Sequence, residues 1–310
     1  MNFRNIFFIL GIIFFGNLYC VLENFNFKNW WNTNKNYIVG DDFDEDGVKY
    51  SKMFNKIKNS TKFAPNKLSK QIVDGACGLL EKILNGMYET KYVNETIIEG
   101  FSLCEENDKK DNYVYCNCSG FVCALIKKYS QVHYKSIMES IEGTLWEDSI
   151  KARDLYPKKN KYGKWDSCKR PQVIDMYNAF KKQKEYWELI KNINNILPGD
   201  IISKTTTKKI EPLGNTGHVV IALSVPKFVK DWEKNGQKYK IYELVIIDSS
   251  TVNDEPCSRV LTSPNFSGVG VRYISLLANE NGETINFFRK ADPSAPAKTT
   301  VLNISRPIEV

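Results

Sequence analysis

Histidine is scarce in this 310-residue sequence, which contains only His133 and His218. Long apolar runs are also scarce: after residue 20, no segment approaches the roughly eighteen consecutive apolar residues of a membrane-spanning helix. There is no internal repeat, no low-complexity tract and no RNA- or DNA-binding motif. These absences argue against a repeat protein and a nucleic-acid-binding protein. They also predict a soluble mature chain with only two candidates for imidazole chemistry.

The overall composition is that of an ordinary globular protein, with 42% hydrophobic and 25% charged residues. The 43 Lys and Arg residues outnumber the 36 Asp and Glu residues, which gives a net charge of +7. The lysines are spread along the chain instead of forming one run. A basic balance of this kind favours anionic surroundings, such as a cell-wall polymer or phospholipid headgroups. We therefore expect a possible peripheral association with a membrane or cell wall, and no nucleic-acid partner.

The N-terminus has the pattern of a secretory signal peptide. Arg4 supplies a short positive region, residues 6–15 form an apolar core, and residues 16–20 make a plausible cleavage region. The sequence therefore predicts cleavage of residues 1–20 and export of the remainder. A retained membrane anchor and lipidation at Cys20 are the alternatives, the latter disfavoured by the bulky Tyr19 that precedes Cys20.

Eight cysteines in an exported protein raise the question of disulfides. Loss of Cys20 with the signal peptide would leave seven, an odd number, so one thiol would stay free or pair outside the chain. A single free reactive cysteine and seven free thiols both fit this count. The eight are Cys20, Cys77, Cys104, Cys116, Cys118, Cys123, Cys168 and Cys257.

The first half of the mature chain has mainly helical patterns. Residues 21–65 are expected to form an irregular N-terminal extension with a short helix near residues 50–57. Apolar residues then recur at helical spacing from Leu68 to Ile83, and Gly86 is placed to end that helix.

A less regular region follows farther along the chain. Residues 138–150 are moderately helical in pattern, and residues 157–171 form a basic loop. Pro171 can open a further helix, which we expect to run to about Lys191.

The second half has strand patterns. A β-branched apolar run at residues 218–223 and another at residues 242–247 predict buried strands. Asn235-Gly236 and Asn281-Gly282 predict hairpin turns. Further strands are expected at 201–202, 269–277, 284–289 and 300–304. Because helices come first and strands follow, the sequence predicts an α+β fold with helices packed on an antiparallel sheet.

The segment Tyr115-Cys116-Asn117-Cys118-Ser119-Gly120-Phe121-Val122 places a cysteine where a helix begins. Asn117 is a favourable N-cap residue, and one apolar stripe continues to Tyr129. Cys118 would then occupy the first helical position. There, free backbone N–H groups and the helix dipole stabilise a thiolate. The pattern therefore predicts a nucleophilic cysteine.

A thiolate nucleophile needs a base and a group that orients the base. His218 opens an apolar strand, and Asp248 lies at the end of the neighbouring predicted strand, which ends at residues 248–250. If the two strands pair, the side chains of His218 and Asp248 can lie on one face within hydrogen-bond reach. His133 is expected at the surface. Asn253 or Asp254 could replace Asp248 as the orienting residue.

Simpler interpretations also fit these residues. In these interpretations Cys118 is a structural or disulfide-bonded cysteine, His218 is a core histidine, and Asp248 is a turn residue. The set Cys116, Cys118 and Cys123 has poor spacing for zinc and lacks a fitting fourth ligand.

Three motifs in order resemble the signatures of the NlpC-type cysteine peptidases, the papain-like cell-wall endopeptidases. They are Asn-Cys-Ser-Gly-Phe-Val at 117–122, Leu-Pro-Gly-Asp-Ile-Ile at 197–202 and Gly-His-Val-Val-Ile at 217–221. The resemblance implies a papain-like domain over residues 66–310, with Cys118 as nucleophile, His218 as base and Asp248 as orienting residue. It further implies cleavage of amide bonds in peptidoglycan stem peptides, without a metal or cofactor.

The resemblance also implies oxyanion donors: the backbone N–H of Cys118 and a hydroxyl from Tyr113 or Tyr115. Four departures qualify it. Asn117 replaces the usual aspartate, and Cys118 and His218 lie 100 residues apart, with a helical and basic insertion near residues 139–191. That insertion is a candidate lid or substrate wall. The orienting residue is often histidine in the family, and no separate cell-wall-binding repeat domain is present. A thiol hydrolase or acyltransferase acting on lipid or host amides and a non-catalytic binding module are the alternatives.

Overall fold

The computed structural model describes residues 52–57, 59–93, 97–98, 113–140, 171–206, 217–251, 257–261, 267–288 and 300–310. Several predictions lie outside these residues. They are the signal peptide with Cys20, most of the N-terminal extension, the basic loop before Pro171, and the alternative orienting residues Asn253 and Asp254.

Four helices are described in full: α1 (Lys67–Leu84), α2 (Cys118–Tyr129), α3 (Gln131–Glu139) and α4 (Val173–Lys182). Residues 52–57 are also helical, as expected. The Asn66 side chain caps α1 by accepting the N–H of Ser69, and Gly86 follows the helix end with a positive φ of 68°. Left-handed backbone of this kind favours glycine and ends a helix. None of the helices among the described residues has the length and apolar content to cross a membrane.

A small three-stranded sheet precedes α2. It contains β1 (Glu89–Lys91), β2 (Ile97–Ile98) and β3 (Tyr113–Tyr115) in the order β1-β3-β2. β1 runs parallel to β3, and β2 runs antiparallel to it. β3 therefore delivers the chain directly to the start of α2.

The main sheet has eight strands, and all its pairings are antiparallel. Its order is β10-β9-β8-β6-β5-β11-β4, and β7 pairs with β8 beside this path. Asn235, with φ of 53°, and Gly236, with φ of 75°, form the predicted turn between β7 and β8. The strands are β4 (Trp187–Leu189), β5 (Ile201–Thr206), β6 (Gly217–Ala222), β7 (Lys227–Lys234), β8 (Gln237–Ser250), β9 (Gly268–Asn279), β10 (Thr284–Phe288) and β11 (Thr300–Pro307).

Each face of the main sheet buries its own apolar cluster. The helices pack on one face, where Phe121 of α2 and Phe180 of α4 lie in one buried cluster with strand residues such as Val245 of β8. The opposite face encloses a second cluster that includes Val220, Ile246 and Ile274. β10 contacts β11 as well as β9, so the sheet curls around this second cluster. The architecture is α+β, as the order of patterns predicts.

Two predictions about individual elements are wrong. The helix expected to reach Lys191 ends at Lys182, because Trp187 is buried against Phe180 and its segment pairs with β11 as β4. His133, expected at the surface, is 1% exposed.

Candidate active site

Cys118 occupies the first position of α2, where the sequence places it. The side-chain oxygen of Asn117 accepts the N–H of Gly120 at 2.8 Å and the hydroxyl of Ser119 at 3.2 Å, so the helix start is fixed. Cys118 carries a free thiol and is 4% exposed. The helix start therefore presents one buried sulfur, with the N-terminal end of the helix dipole behind it.

The approach to this helix is anchored through the backbone of Cys116. Its N–H donates to the carbonyl of Lys91, and its carbonyl accepts the N–H of Val93 at 3.3 Å. The Ser249 hydroxyl donates to the same Cys116 carbonyl at 2.6 Å. Because Ser249 follows Asp248 on β8, this bond sets the distance between the cysteine helix and the strand that carries the carboxylate.

His218 lies on β6 beside an opening in the main sheet. Pairing between β6 and β8 covers only Ile221 with Ile247 and Ala222 with Ile246. Beyond that pairing, His218 Nε2 reaches Asp248 Oδ2 at 2.6 Å. The His218 side chain is 17% exposed and Asp248 is fully buried. The imidazole is therefore the member of the pair that solvent or a substrate can approach.

Cys118 and His218 form a hydrogen-bonded pair. Burial opposes ionisation of the Cys118 thiol, but the charge and hydrogen bond of His218, together with the Val219 N–H, hold its pKa below the ordinary value. For His218, burial favours the neutral ring, but Cys118 and Asp248 outweigh burial and raise its pKa to about 9. Since Asp248 occupies Nε2, Nδ1 is the ring nitrogen left for the thiol. Each group therefore favours the charged form of the other, a thiolate beside an imidazolium.

Asp248 is held ionised by two buried arginines that the sequence analysis did not identify. Burial alone would raise the pKa of this carboxyl, but Arg259, Arg272 and His218 keep it well below its usual range. The Arg259 guanidinium bonds to Oδ1, and Arg272 Nη2 donates to Oδ2 at 2.9 Å. A signal was available for Arg272, because an arginine inside the apolar run 269–277 is expected to have a buried partner.

Tyr113 and Tyr115 lie on β3, just before the cysteine helix. Their ring centroids are 4.9 Å apart, and Tyr115 is 5% exposed. Both belong to the strand that leads to Cys118, so both hydroxyls stay candidates for the second oxyanion donor.

The Leu-Pro-Gly-Asp motif performs a structural task in this fold. Asp200 is fully buried and accepts two bonds from Arg306, at 2.9 and 3.0 Å. Gly199 has φ of 93°, and a Cβ at this position would lie 2.7 Å from the Ser69 Cβ. The motif thus allows α1 to pack closely against the turn before β5, the strand that pairs with the histidine strand β6.

Cys118 does not share its sulfur with a neighbouring cysteine. No disulfide joins the five described cysteines to one another. In the described part of the chain, no three His, Cys, Asp or Glu side chains are grouped so that they could hold a metal ion. His133 lies away from the Cys118–His218 pair, in the helical layer, with Nδ1 2.6 Å from the Ser130 hydroxyl.

Comparison with known proteins gives one distant match. The chain is 28% identical over 210 residues to an uncharacterized protein of Acanthamoeba polyphaga mimivirus, an alignment that covers 66% of this chain and 79% of the viral protein. No protein-family model matches the chain. No solved structure matches it either.

Proposed function

We propose that this protein is a cysteine hydrolase that cleaves amide bonds, with Cys118 as nucleophile, His218 as general base and acid, and Asp248 as the orienting residue. One observation carries the proposal. A buried free thiol at the start of a helix is hydrogen-bonded to an imidazole whose other nitrogen lies 2.6 Å from a buried carboxylate. Nucleophile, base and orienting group are the three parts that covalent acyl transfer needs.

The reaction follows from the charges of these groups. The Cys118 thiolate attacks the amide carbonyl carbon, and the C=O electrons move onto oxygen to give a tetrahedral oxyanion. When the C–N bond breaks, His218 gives its proton to the leaving amine, and the acyl group stays on sulfur as a thioester. His218 then takes a proton from water, and the resulting hydroxide attacks the thioester to release the acid and regenerate the thiolate.

The oxyanion needs donors that point at the developing charge. The Cys118 N–H is the first donor in this proposal, because Asn117 caps α2 through the Gly120 N–H and leaves the Cys118 N–H unused by that cap. A tyrosine hydroxyl, from Tyr113 or Tyr115 on β3, is the second.

The fold supports a papain-like arrangement for this chemistry. The nucleophile lies at the start of a helix, and the base and the orienting residue lie on antiparallel strands of the sheet that this helix packs against. The NlpC-type motifs imply the same placement of the three residues, and this agreement is part of the support for the proposal. We take peptidoglycan stem peptides as the substrate, an exported location as the setting, and the net charge of +7 as support for an anionic cell-wall polymer as partner.

The first experiment tests the thiol alone. Mass-spectrometric mapping of iodoacetamide labelling at about pH 6, where an ordinary thiol reacts slowly, should find Cys118 labelled ahead of every other cysteine. His218→Ala should remove that selectivity. Cys77→Ala, which deletes another buried cysteine on α1, should leave it intact.

The second experiment tests the substrate. Purified muropeptides are incubated with wild type, Cys118→Ala, His218→Ala and Cys77→Ala, and new amine and acid termini are identified by mass spectrometry. We expect cleavage by wild type and Cys77→Ala only. Selective labelling of Cys118 without muropeptide cleavage would keep the thiol hydrolase and move its substrate to lipid or host amides. An unreactive Cys118 would favour a non-catalytic binding module.

A further inference from the structure

We propose that Arg259 and Arg272 are positioning residues for this thiol chemistry: they hold the Asp248 carboxylate charged and directed at His218. The inference rests on the proposed function of Cys118 and extends it from three residues to five. Asp248 is fully buried, and an isolated carboxylate there would take up a proton and lose its hold on the imidazole. The two guanidiniums supply the charge that prevents this.

Arg259 fixes the carboxylate relative to the backbone around it. Its Nη2 bonds both to Asp248 Oδ1 and to the Asp248 carbonyl, and its Nε donates to the Gly268 carbonyl at 2.6 Å. Gly270, directly opposite Asp248 on β9, makes room for this side chain, because a Cβ at Gly270 would lie 2.6 Å from Arg259 Cγ. The site is therefore shaped to admit one arginine at this place.

Arg272 makes its contact at the oxygen that His218 also uses. Its Nη2 lies 2.9 Å from Asp248 Oδ2, and His218 Nε2 lies 2.6 Å from the same atom. Arg272 Nε and Nη1 are buried and have no hydrogen-bond partner among the described residues. A buried guanidinium with two unused donors is costly for stability. The ion pair with Asp248 explains why an arginine is buried in this otherwise apolar strand.

The consequence for the chemistry is electrostatic. Asp248 alone would raise the pKa of the Cys118 thiol, because a nearby negative charge opposes the thiolate. The two guanidiniums offset that negative charge while leaving the Asp248 bond to His218 in place. The carboxylate can then orient the ring without repelling the sulfur.

The other polar groups at the site do not replace the arginines. Lys204 lies opposite His218 across β5 and β6, and its Nζ donates to the Phe287 carbonyl at 2.8 Å. The Cys257 sulfur accepts from Arg259 Nη1 at 3.1 Å. Among the described residues, Arg259 and Arg272 are the arginines or lysines that contact the Asp248 carboxylate.

The test measures the pH dependence of Cys118 alkylation, which requires no substrate. Without the positive charge of Arg272, the Cys118 thiol holds its proton more tightly. Arg272→Gln and Arg272→Met should therefore raise the pH midpoint of Cys118 alkylation by about one pH unit. Their alkylation rate at about pH 6 should fall about tenfold. Arg272→Lys, which keeps the charge, should recover most of the wild-type midpoint.

Arg306→Gln is the matched control, because Arg306 also pairs with a buried carboxylate, that of Asp200, away from the thiol. Arg306→Gln should lower the melting temperature of the protein without changing the pH midpoint of Cys118 alkylation. A purely structural role for Arg272 predicts the same behaviour for Arg272→Gln. A folded Arg272→Gln protein with the wild-type midpoint would overturn the proposal.

A measurement on the wild type covers the case in which both neutral variants fail to fold. With ¹³C-carboxyl-labelled aspartate, the NMR signal of Asp248 should not titrate between about pH 4 and pH 8. A titration in that interval would overturn the role of the arginines. The proposed function fails by a different result, the absence of selective Cys118 labelling in the wild type.

Discussion

At the scale of single residues, the charges of Cys118, His218 and Asp248 depend on one another. Burial opposes the charged form of all three, but the neighbouring groups outweigh burial and shift each pKa towards the charged form. Removing one partner leaves another charge buried and uncompensated. Single substitutions in this set should therefore change the pH dependence of the chemistry as well as its rate.

The dependence of amide hydrolysis on pH follows from the same pair. We expect kcat/KM to rise with an acid-side inflection below the ordinary thiol pKa of about 8.5, since His218 favours the thiolate. It should fall on the alkaline side near pH 9, where the imidazolium, with a pKa of about 9, loses its proton. Initial rates over the range from about pH 4 to pH 10 measure both limbs.

Replacement of the imidazole by an amide is the control for that profile. In His218→Asn the thiol loses its cationic partner, so its alkylation midpoint should return towards about 8.5 or higher. An unchanged midpoint in this variant, or a wild-type rate that keeps rising beyond pH 9, would contradict the ion pair.

At this scale the sequence predicts the contact between His218 and Asp248 but not the two arginines that bind Asp248. His218 and Asp248 were expected on one face of paired strands, and the structure brings them to 2.6 Å. Arg259 and Arg272 come from a 3₁₀ segment, Ser258–Leu261, and from β9. Their approach to Asp248 depends on long-range strand pairing and on the missing side chain of Gly270, and neither leaves a local periodicity in the sequence.

At the scale of elements, the cap of α2 connects helix formation to the reactivity of the thiol. Asn117→Ala removes the acceptor for the Gly120 N–H, and we expect it to lower the free energy of unfolding by about 1 kcal/mol. It should also slow Cys118 alkylation, since the first turn that stabilises the thiolate frays. Urea unfolding and alkylation kinetics on the same samples measure the two effects.

The cap of α1 supplies a control remote from the sulfur. Asn66 accepts the Ser69 N–H at 2.7 Å and also donates to the Pro307 carbonyl, so Asn66→Ala should cost at least as much stability. Its alkylation rate should match that of wild type. Asn117→Asp retains the cap, so its free energy of unfolding should lie within about 0.5 kcal/mol of the wild-type value. Equal Cys118 alkylation rates in Asn117→Ala and Asn66→Ala would show that the cap of α2 does not contribute to the reactivity of the thiol.

Element types were more predictable from the sequence than element ends. The apolar stripes of α1 and α2 and the Asn-Gly turns are local patterns, and each of these elements occurs where it was expected. The end of α4 depends on a distant contact, because the segment after Lys182 pairs with β11, more than a hundred residues away. A helical pattern gives no information about a partner strand at the other end of the chain.

At the scale of the whole molecule, the order of helices before strands was sufficient to predict helices on an antiparallel sheet. It was not sufficient for the curl of the sheet, which buries the second apolar cluster on the face away from the helices. Nor did it place His133 inside, because the polar sequence around His133 suggests an exposed helix. In the structure α3 is covered by the segment that contains Trp187.

Buried His133 gives the whole fold an acid sensitivity. Burial lowers the pKa of His133, although the Ile308 and Tyr186 backbone groups act in the opposite direction. Its ring stands edge-on to Trp187, with centroids 5.2 Å apart. Because the pKa is lower in the folded state, the unfolded chain binds a proton first as the pH falls below about 6.5. Full stability is therefore present above that pH and is lost progressively below it.

We expect the free energy of unfolding to fall between about pH 6.5 and pH 5 through His133, by at most about 1.4 kcal/mol per pH unit. Asp200 acts in the opposite direction, because burial raises its pKa to about 6 despite the bonds from Arg306, so the quantity to measure is the difference between wild type and His133→Phe. His218 also contributes in this window, because its folded pKa is about 9 while its unfolded ring titrates near about pH 6.5, but it contributes equally to both proteins and cancels in that difference. Urea titrations should show the free energy of unfolding of wild type minus that of His133→Phe decreasing as the pH falls, because the variant lacks the proton-binding ring. Parallel pH profiles would mean that the folded protein accommodates a charged His133, and the acid sensitivity would then have another origin.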